Sequence, residues 1–153
     1  MTRQQLLARM ERAWAALRES FSGLSDAQLT EPGVAGEWSV KDVLAHVTTW
    51  DEEALKYLPL IHSGGRPPRY ASVGGLDAFN ARTSAAKRGL SLAEVLRQFD
   101  ETHERLTAYL DTISEEQFTT ETRFRHRLRL DTYSNDPLHT RMIREWREQR
   151  GFS

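Results

Sequence analysis

The stretch that decides the fold is Gly36-Glu37-Trp38-Ser39-Val40-Lys41-Asp42-Val43-Leu44-Ala45-His46-Val47-Thr48-Thr49-Trp50. A glycine stop is followed by a helix start and a long apolar-faced helix. Ser39 suits the N-cap, because its hydroxyl can accept from a first-turn amide that has no partner within the helix. Asp42, three residues on, makes a shortened capping box and places negative charge at the positive end of the helix dipole. Val40, Val43, Leu44, Val47, Trp50 and Ala54 recur at spacings of three and four, a buried helical stripe. Beside it run His46, Trp50, Glu53 and Tyr57, spaced i, i+4, i+7 and i+11. At about 100° per residue they share a sector of roughly 60°. An imidazole, an indole, a carboxylate and a phenol on one strip suit the wall of a polar cavity inside a helix bundle. The alternative is a hydrogen-bonded core histidine with Glu53 turned to solvent.

Working outward, a chain of 153 residues is long enough for one domain, 1–153, with a sizeable core. With 21 basic and 22 acidic residues, bulk attraction to nucleic acid or an anionic membrane is not expected. There are no cysteines, which excludes disulfides and thiolate metal sites. The first ten residues carry no apolar core of signal-peptide length, and no apolar run approaches the ~20 residues of a membrane helix. A cytoplasmic protein with no membrane partner is the expectation.

The first long helix is expected over about 2–22, with Leu6, Met10, Trp14, Leu17 and Phe21 on its apolar stripe and Gly23 ending it. Ser25 to Leu29 reads as a single helical turn. The second long helix runs from Ser39 to about Ile61 or His62, with Pro59 near its end as a kink or stop. Ser63 to Gly75 is a long Gly/Pro loop of the kind that is often functional. A short helix follows over about 76–88. Ser91-Leu92-Ala93-Glu94 is a capping box that starts the third long helix, whose stripe is Leu92, Val95, Leu96, Phe99, Leu106 and Leu110, with His103 close to it. Ser114 to Phe118 resembles the turn at Ser25 to Leu29, a weak sign of duplication.

From Thr119 to Leu130, Thr122, Phe124, His126, Leu128 and Leu130 alternate with Arg123, Arg125, Arg127 and Arg129. Alternation is a strand signal, and with no partner strand in view the expectation is an extended loop with at most a short strand. Its arginines form either a solvated edge or an edge that binds DNA weakly. The fourth long helix carries Leu138, Met142, Ile143 and Trp146, and its start is ambiguous. Asp136-Pro137 fits an N-cap followed by proline, whereas a start at Asp131 would put Pro137 inside the helix. The fold class expected is all-α, an antiparallel four-helix bundle with a long loop and short helix between helices two and three. Ligand and metal sites are built in the core of such bundles.

Pro32 to His46 resembles the signature of the DinB-like four-helix bundles, and more closely the ClbS/DfsB branch that includes colibactin self-protection proteins. Trp50-Asp51-Glu52, Asp77-Ala78-Phe79-Asn80-Ala81-Arg82 and Ile143-Arg144-Glu145-Trp146 support the likeness, which covers nearly the whole chain. In the wider superfamily the resemblance implies a divalent metal on three histidines, one on helix two and two on helix four. His46 matches the first and His139 the last, but the middle position falls on Asn135, a weak ligand for zinc or nickel. A metal-free pocket is therefore expected. The alternative is zinc or nickel on His46 and His139, completed by Glu53 or Asp136.

Resemblance to the self-protection branch implies hydrolysis, or binding, of a strained electrophilic small molecule such as a cyclopropane. In that reading His46 or Glu53 is the base and Tyr57 or His139 the proton donor. Trp38, Trp50 and Tyr133 stack on a flat substrate, while Asn80 and Asn135 orient it. Two other readings are a metal-dependent thiol transferase or hydrolase and a non-catalytic binder of a metabolite or DNA. The expected state is a monomer or homodimer.

Overall fold

The computed structural model describes residues 2–153. Four long helices, α1 (Arg3–Ser20), α3 (Val40–His62), α5 (Leu92–Leu110) and α8 (Asp136–Arg150), make the antiparallel bundle. Between them lie α2 (Asp26–Leu29), α4 (Leu76–Lys87), α6 (Glu116–Thr119) and α7 (Arg123–Asp131). The Gly/Pro loop holds a single 3₁₀ turn, Tyr70–Val73.

The helix starts follow the capping chemistry. The Ser39 hydroxyl accepts from the Asp42 amide at 3.2 Å, and the Asp42 carboxylate accepts from the Ser39 amide at 3.0 Å. Thr2 and Gln5 make the same reciprocal pair for α1. At α5 the Ser91 hydroxyl accepts from Glu94, but the Glu94 carboxylate turns to Arg97 instead of closing the box. Pro59 does not end α3, which continues to His62. Pro137 falls in the first turn of α8, where it displaces no intrahelical bond.

The expectation of an extended Thr119–Leu130 is corrected, because α7 is a helix. The Thr122 hydroxyl caps it by accepting from the Arg125 amide at 3.0 Å. Phe124, Leu128 and Asp131, at i, i+4 and i+7, are its buried face, and Arg127 reaches Asp131 one turn on at 2.6 Å. A period-two pattern over nine residues also contains a period-four pair. Here the pair is buried, while His126 and Leu130 are exposed.

The core has two apolar clusters. One gathers Leu17, Val43, Leu44, Val47, Phe99, Ile143 and Trp146; the other gathers Leu6, Met10, Ala54, Leu58, Leu106, Phe118, Phe124 and Leu128. The α3 residues between Val47 and Ala54 include buried Thr48, Thr49, Asp51 and Glu53. The middle of the bundle is thus a polar belt between two apolar layers. Hydroxyls in it are satisfied locally, as Thr48 donates to the Leu44 carbonyl at 2.8 Å and Thr49 to Ala45 at 2.9 Å. No helix among the described residues is long and apolar enough to cross a membrane.

Candidate functional site

The belt opens into a cavity of about 520 Å³ lined from α3 by His46 and Trp50, from the 3₁₀ turn by Tyr70 and from α4 by Leu76 and Asn80. Arg127, Leu130 and Asp131 of α7, Asn135, and Leu138 and His139 of α8 complete the wall. The volume is in the range of small-molecule sites. A smaller recess shares His46, Trp50, Asp131, Asn135 and His139 with the cavity and adds Val47 and Asp136.

The rings of His46 and His139 meet edge to face with centroids 5.3 Å apart, and the Trp38 ring lies 5.1 Å from that of His46. The Nδ1 atoms of both histidines are buried without a hydrogen-bond partner among the described residues. Burial, then the proximity of His139 and of Lys87, lowers the His46 pKa to about 4. Burial also lowers that of His139, against a smaller upward pull from the Asn135 backbone carbonyl, which lies near its ring without reaching hydrogen-bond geometry. Both imidazoles are neutral at pH 7. The carboxyls beside them shift the other way, because desolvation disfavours their charged form. Burial raises Asp136 to about 7. It raises Asp131 to about 6 against the opposing pull of the Arg127 guanidinium. Asp51, fully buried, is pushed well up by desolvation and then by Asp136 and Asp131. The site therefore holds imidazoles whose protonation is disfavoured beside carboxyls, Asp51 and Asp136 above all, whose ionisation is disfavoured.

A second network braces the wall. Arg127 donates from Nε to Asp131 at 2.6 Å and from its terminal nitrogen to the Tyr70 hydroxyl. That hydroxyl donates to Glu53 at 3.3 Å. Trp50, Tyr70 and Phe79 pack as three mutually tilted rings 5.1–5.3 Å apart. The Trp50 indole N–H donates to the Asn80 side-chain oxygen at 3.0 Å.

Of the residues expected at a site, His46, Trp50, Asn80, Asn135 and His139 line the cavity. Trp38 backs His46. Glu53 lies behind Tyr70, bonded to its hydroxyl, and Tyr57 sits under the Arg127 guanidinium at 5.2 Å; neither lines the cavity. Tyr133 is buried in the second apolar cluster with Arg9 over its ring. Asn135 gives its amide to the Leu130 carbonyl at 2.8 Å. The four arginines do not share an edge. Arg123 donates to the Gly65 carbonyl, Arg125 pairs with Glu121, Arg127 enters the cavity wall and Arg129 meets His126. Tyr70 and Arg127 were not expected here, and Asp131 was weighed only as a helix cap. An Arg and an Asp four residues apart are the signal that a helical reading of 123–131 would have used.

A three-histidine metal site does not fit these residues. Only two imidazoles converge, Asn135 is turned to the backbone, and Glu53 is held behind Tyr70. No group of three His, Asp or Glu side chains with metal-holding geometry exists among the described residues.

A helical bundle with a polar cavity in its middle defines the class, and the comparisons place it. Residues 9–135 match the DinB superfamily, and the chain belongs to that family. Its fold is similar to DfsB, described as a sibling lethal factor precursor, at a TM-score of 0.79 with 17% identity over 98% of this chain and 97% of that one. It is also similar to the colibactin self-resistance protein ClbS, solved in complex with double-stranded DNA, at 0.77 with 13% identity over 94% of each chain. An uncharacterised Escherichia coli UTI89 protein matches at 0.80 with 14% identity over 99% and 96%. No curated protein matches the chain.

Proposed function

We propose that this protein is a metal-independent hydrolase of a strained, electrophilic small molecule and serves as a self-protection protein. The observation that carries the reading is the pair of imidazoles, His46 and His139, on the cavity wall, whose Nδ1 atoms have no side-chain partner among the described residues, next to a recess that holds Asp136, a carboxyl that burial raises to about 7. The two ClbS- and DfsB-like folds support the self-protection setting.

For a cyclopropane next to a carbonyl, one imidazole takes a proton from water as the water oxygen bonds to a ring carbon. The ring C–C bond breaks, and its electron pair moves into the carbonyl as an enolate. The Asp136 carboxyl gives that enolate a proton, and the imidazolium returns its own proton to the carboxylate through the recess. The net change is addition of one water. General acid and base of this kind each contribute about 10²–10⁴ in rate. Trp50 and Tyr70 provide flat apolar faces for the substrate, and the Arg127–Asp131 pair holds Tyr70 in place.

Incubation with an activated cyclopropyl ketone, followed by mass spectrometry, tests this reading. A product heavier by one water that forms faster than in buffer is expected. Ketone recovered unchanged removes hydrolysis, and tight binding of unchanged ketone would replace it with sequestration. A second reading, DNA contact, draws on the ClbS complex. It relies on Arg123 and Arg129 at the outer ends of α7, and binding should fall steeply with salt. No binding of a duplex at low salt ends it.

A further inference from the structure

Among the described residues five large apolar side chains are exposed: Leu60, Val73, Leu76, Leu130 and Leu138. Three of them, Leu76 at 53%, Leu130 at 48% and Leu138 at 45%, also line the cavity. They come from three separate elements: the first residue of α4, the end of α7 and the first turn of α8. Val73 lies just ahead of Leu76, across the Gly74–Gly75 turn. The leucines and isoleucines that build the apolar layers are almost fully buried. A ring of half-exposed leucines at the mouth of a polar cavity therefore does no packing work for the fold. An apolar patch rimmed by polar groups marks a place where something apolar is covered.

We infer that Leu76, Leu130 and Leu138 form a subsite for an apolar arm of the ligand, so that the substrate class is amphipathic: a compact reactive head with an alkyl or aryl extension. The inference rests on the cavity being the ligand site. The head reaches the imidazoles, where every wall group apart from the three leucines is polar or aromatic. The extension leaves through the mouth and covers the three leucines. Continuity decides the occupant, since the leucines are walls of the same cavity and not a separate face. A head with no extension would leave them wet.

The test uses unreactive probes, so that it does not depend on turnover. Benzamide and its N-butyl, N-hexyl and N-octyl derivatives are titrated by calorimetry into the full chain. Affinity is expected to rise about twofold per methylene, half the free energy of complete burial. In the triple variant Leu76→Ser/Leu130→Ser/Leu138→Ser the rise should vanish, with the long probes binding no better than the short ones. Each single replacement should remove part of it, which keeps the test valid if the triple variant does not fold. A flat series in the wild type, or a slope unchanged in the variants, overturns the inference. So does a wild-type dimer that the triple variant splits while the slope persists, because the rim would then cover a second copy. Turnover of the cyclopropyl ketone with no chain-length effect would remove the subsite and leave the hydrolase. A chain-length effect with no turnover would do the reverse.

Discussion

Two settings for histidines withdrawn from solvent exist in this bundle, and they differ in what the fold does with the ring. His103 of α5 is buried flat against Trp14, with centroids 4.0 Å apart and planes 9° apart, and its Nε2 meets the Glu11 carboxylate at 2.7 Å. It ties α1 to α5. His46 and His139 are half-buried, their Nδ1 atoms have no side-chain partner among the described residues, and both rings line a cavity. A buried polar atom left unpaired costs stability, and the fold tolerates that cost twice in one place. The satisfied histidine is structural. The unsatisfied pair is where chemistry is expected.

The comparison breaks most decisively on turnover. His46→Ala and His139→Ala should each slow hydrolysis of an activated cyclopropyl ketone by about 10²–10⁴, whereas His103→Ala should change kcat/KM less than about threefold. A similar loss in all three variants would mean that the site is merely being unfolded. Circular dichroism of the same samples separates the two outcomes.

The next largest effect is in pH. With Asp136 at about 7 as the proton donor, kcat/KM should fall about tenfold per pH unit above pH 7. Asp136→Asn should be slower and lack that limb. Stability should follow the opposing shifts. His46, lowered to about 4, contributes stability that is present above its unfolded value near 6.5 and is lost as pH falls toward 4. Asp136, raised to about 7, does the opposite: its contribution is present below about 4 and is lost as pH rises toward 7. Between about pH 4 and 6.5 the two slopes oppose each other. Asp136→Asn should unmask stability that rises with pH across that window, and His46→Ala stability that falls. At pH 8 the Asn variant should gain on the order of 4 kcal/mol, less whatever the carboxylate contributes at the start of α8. Urea melts at pH 4.5, 6 and 8 measure this.

Smaller again is the stability cost of the structural histidine. His103→Ala removes a stacked ring and a bond to a carboxylate that is half exposed, for a loss of about 2 kcal/mol. His46→Ala should cost less at pH 7, because it removes an unpaired polar atom together with the ring. The reverse order would mean that the cavity histidines hold the fold. The smallest expected effect is that of chelation. EDTA should change turnover by less than about twofold, since two imidazoles with Asn135 turned away are a poor donor set for zinc. Loss of activity that zinc or nickel restores would replace the metal-free account.

How much of this was legible in the sequence depended on local signals. The Ser39–Asp42 cap and the stripe Val40 to Ala54 defined α3, and its spacing put His46 and Trp50 on the cavity side. The same phase assigned Glu53 and Tyr57 to that wall. Spacing along one helix does not reveal that Tyr70 from a distant loop and Arg127 from α7 come between them and the cavity. Tyr133, beside the fourth helix, resembled a stacking residue but is drawn into the lower apolar cluster. The raised carboxyls were invisible because burial, which spacing does not report, is what raises them, and Asp51 joins Asp131 and Asp136 from a distant part of the chain. Only packing withdraws them from water together. Asp131 and Arg127 were hidden by the strand-like alternation around them, although their spacing of four is that of a helical ion pair.

The most direct test of the central claim is side-chain nitrogen NMR of the histidines from pH 5 to 8, with and without N-octyl benzamide. The account predicts that His46 remains neutral throughout, that His139 takes up its proton at a lower pH than an ordinary imidazole, and that the nitrogen signals of both move on ligand addition, while those of His103 do not. Protonation of His46 near its ordinary value of about 6.5, or a ligand response confined to His103, would contradict it.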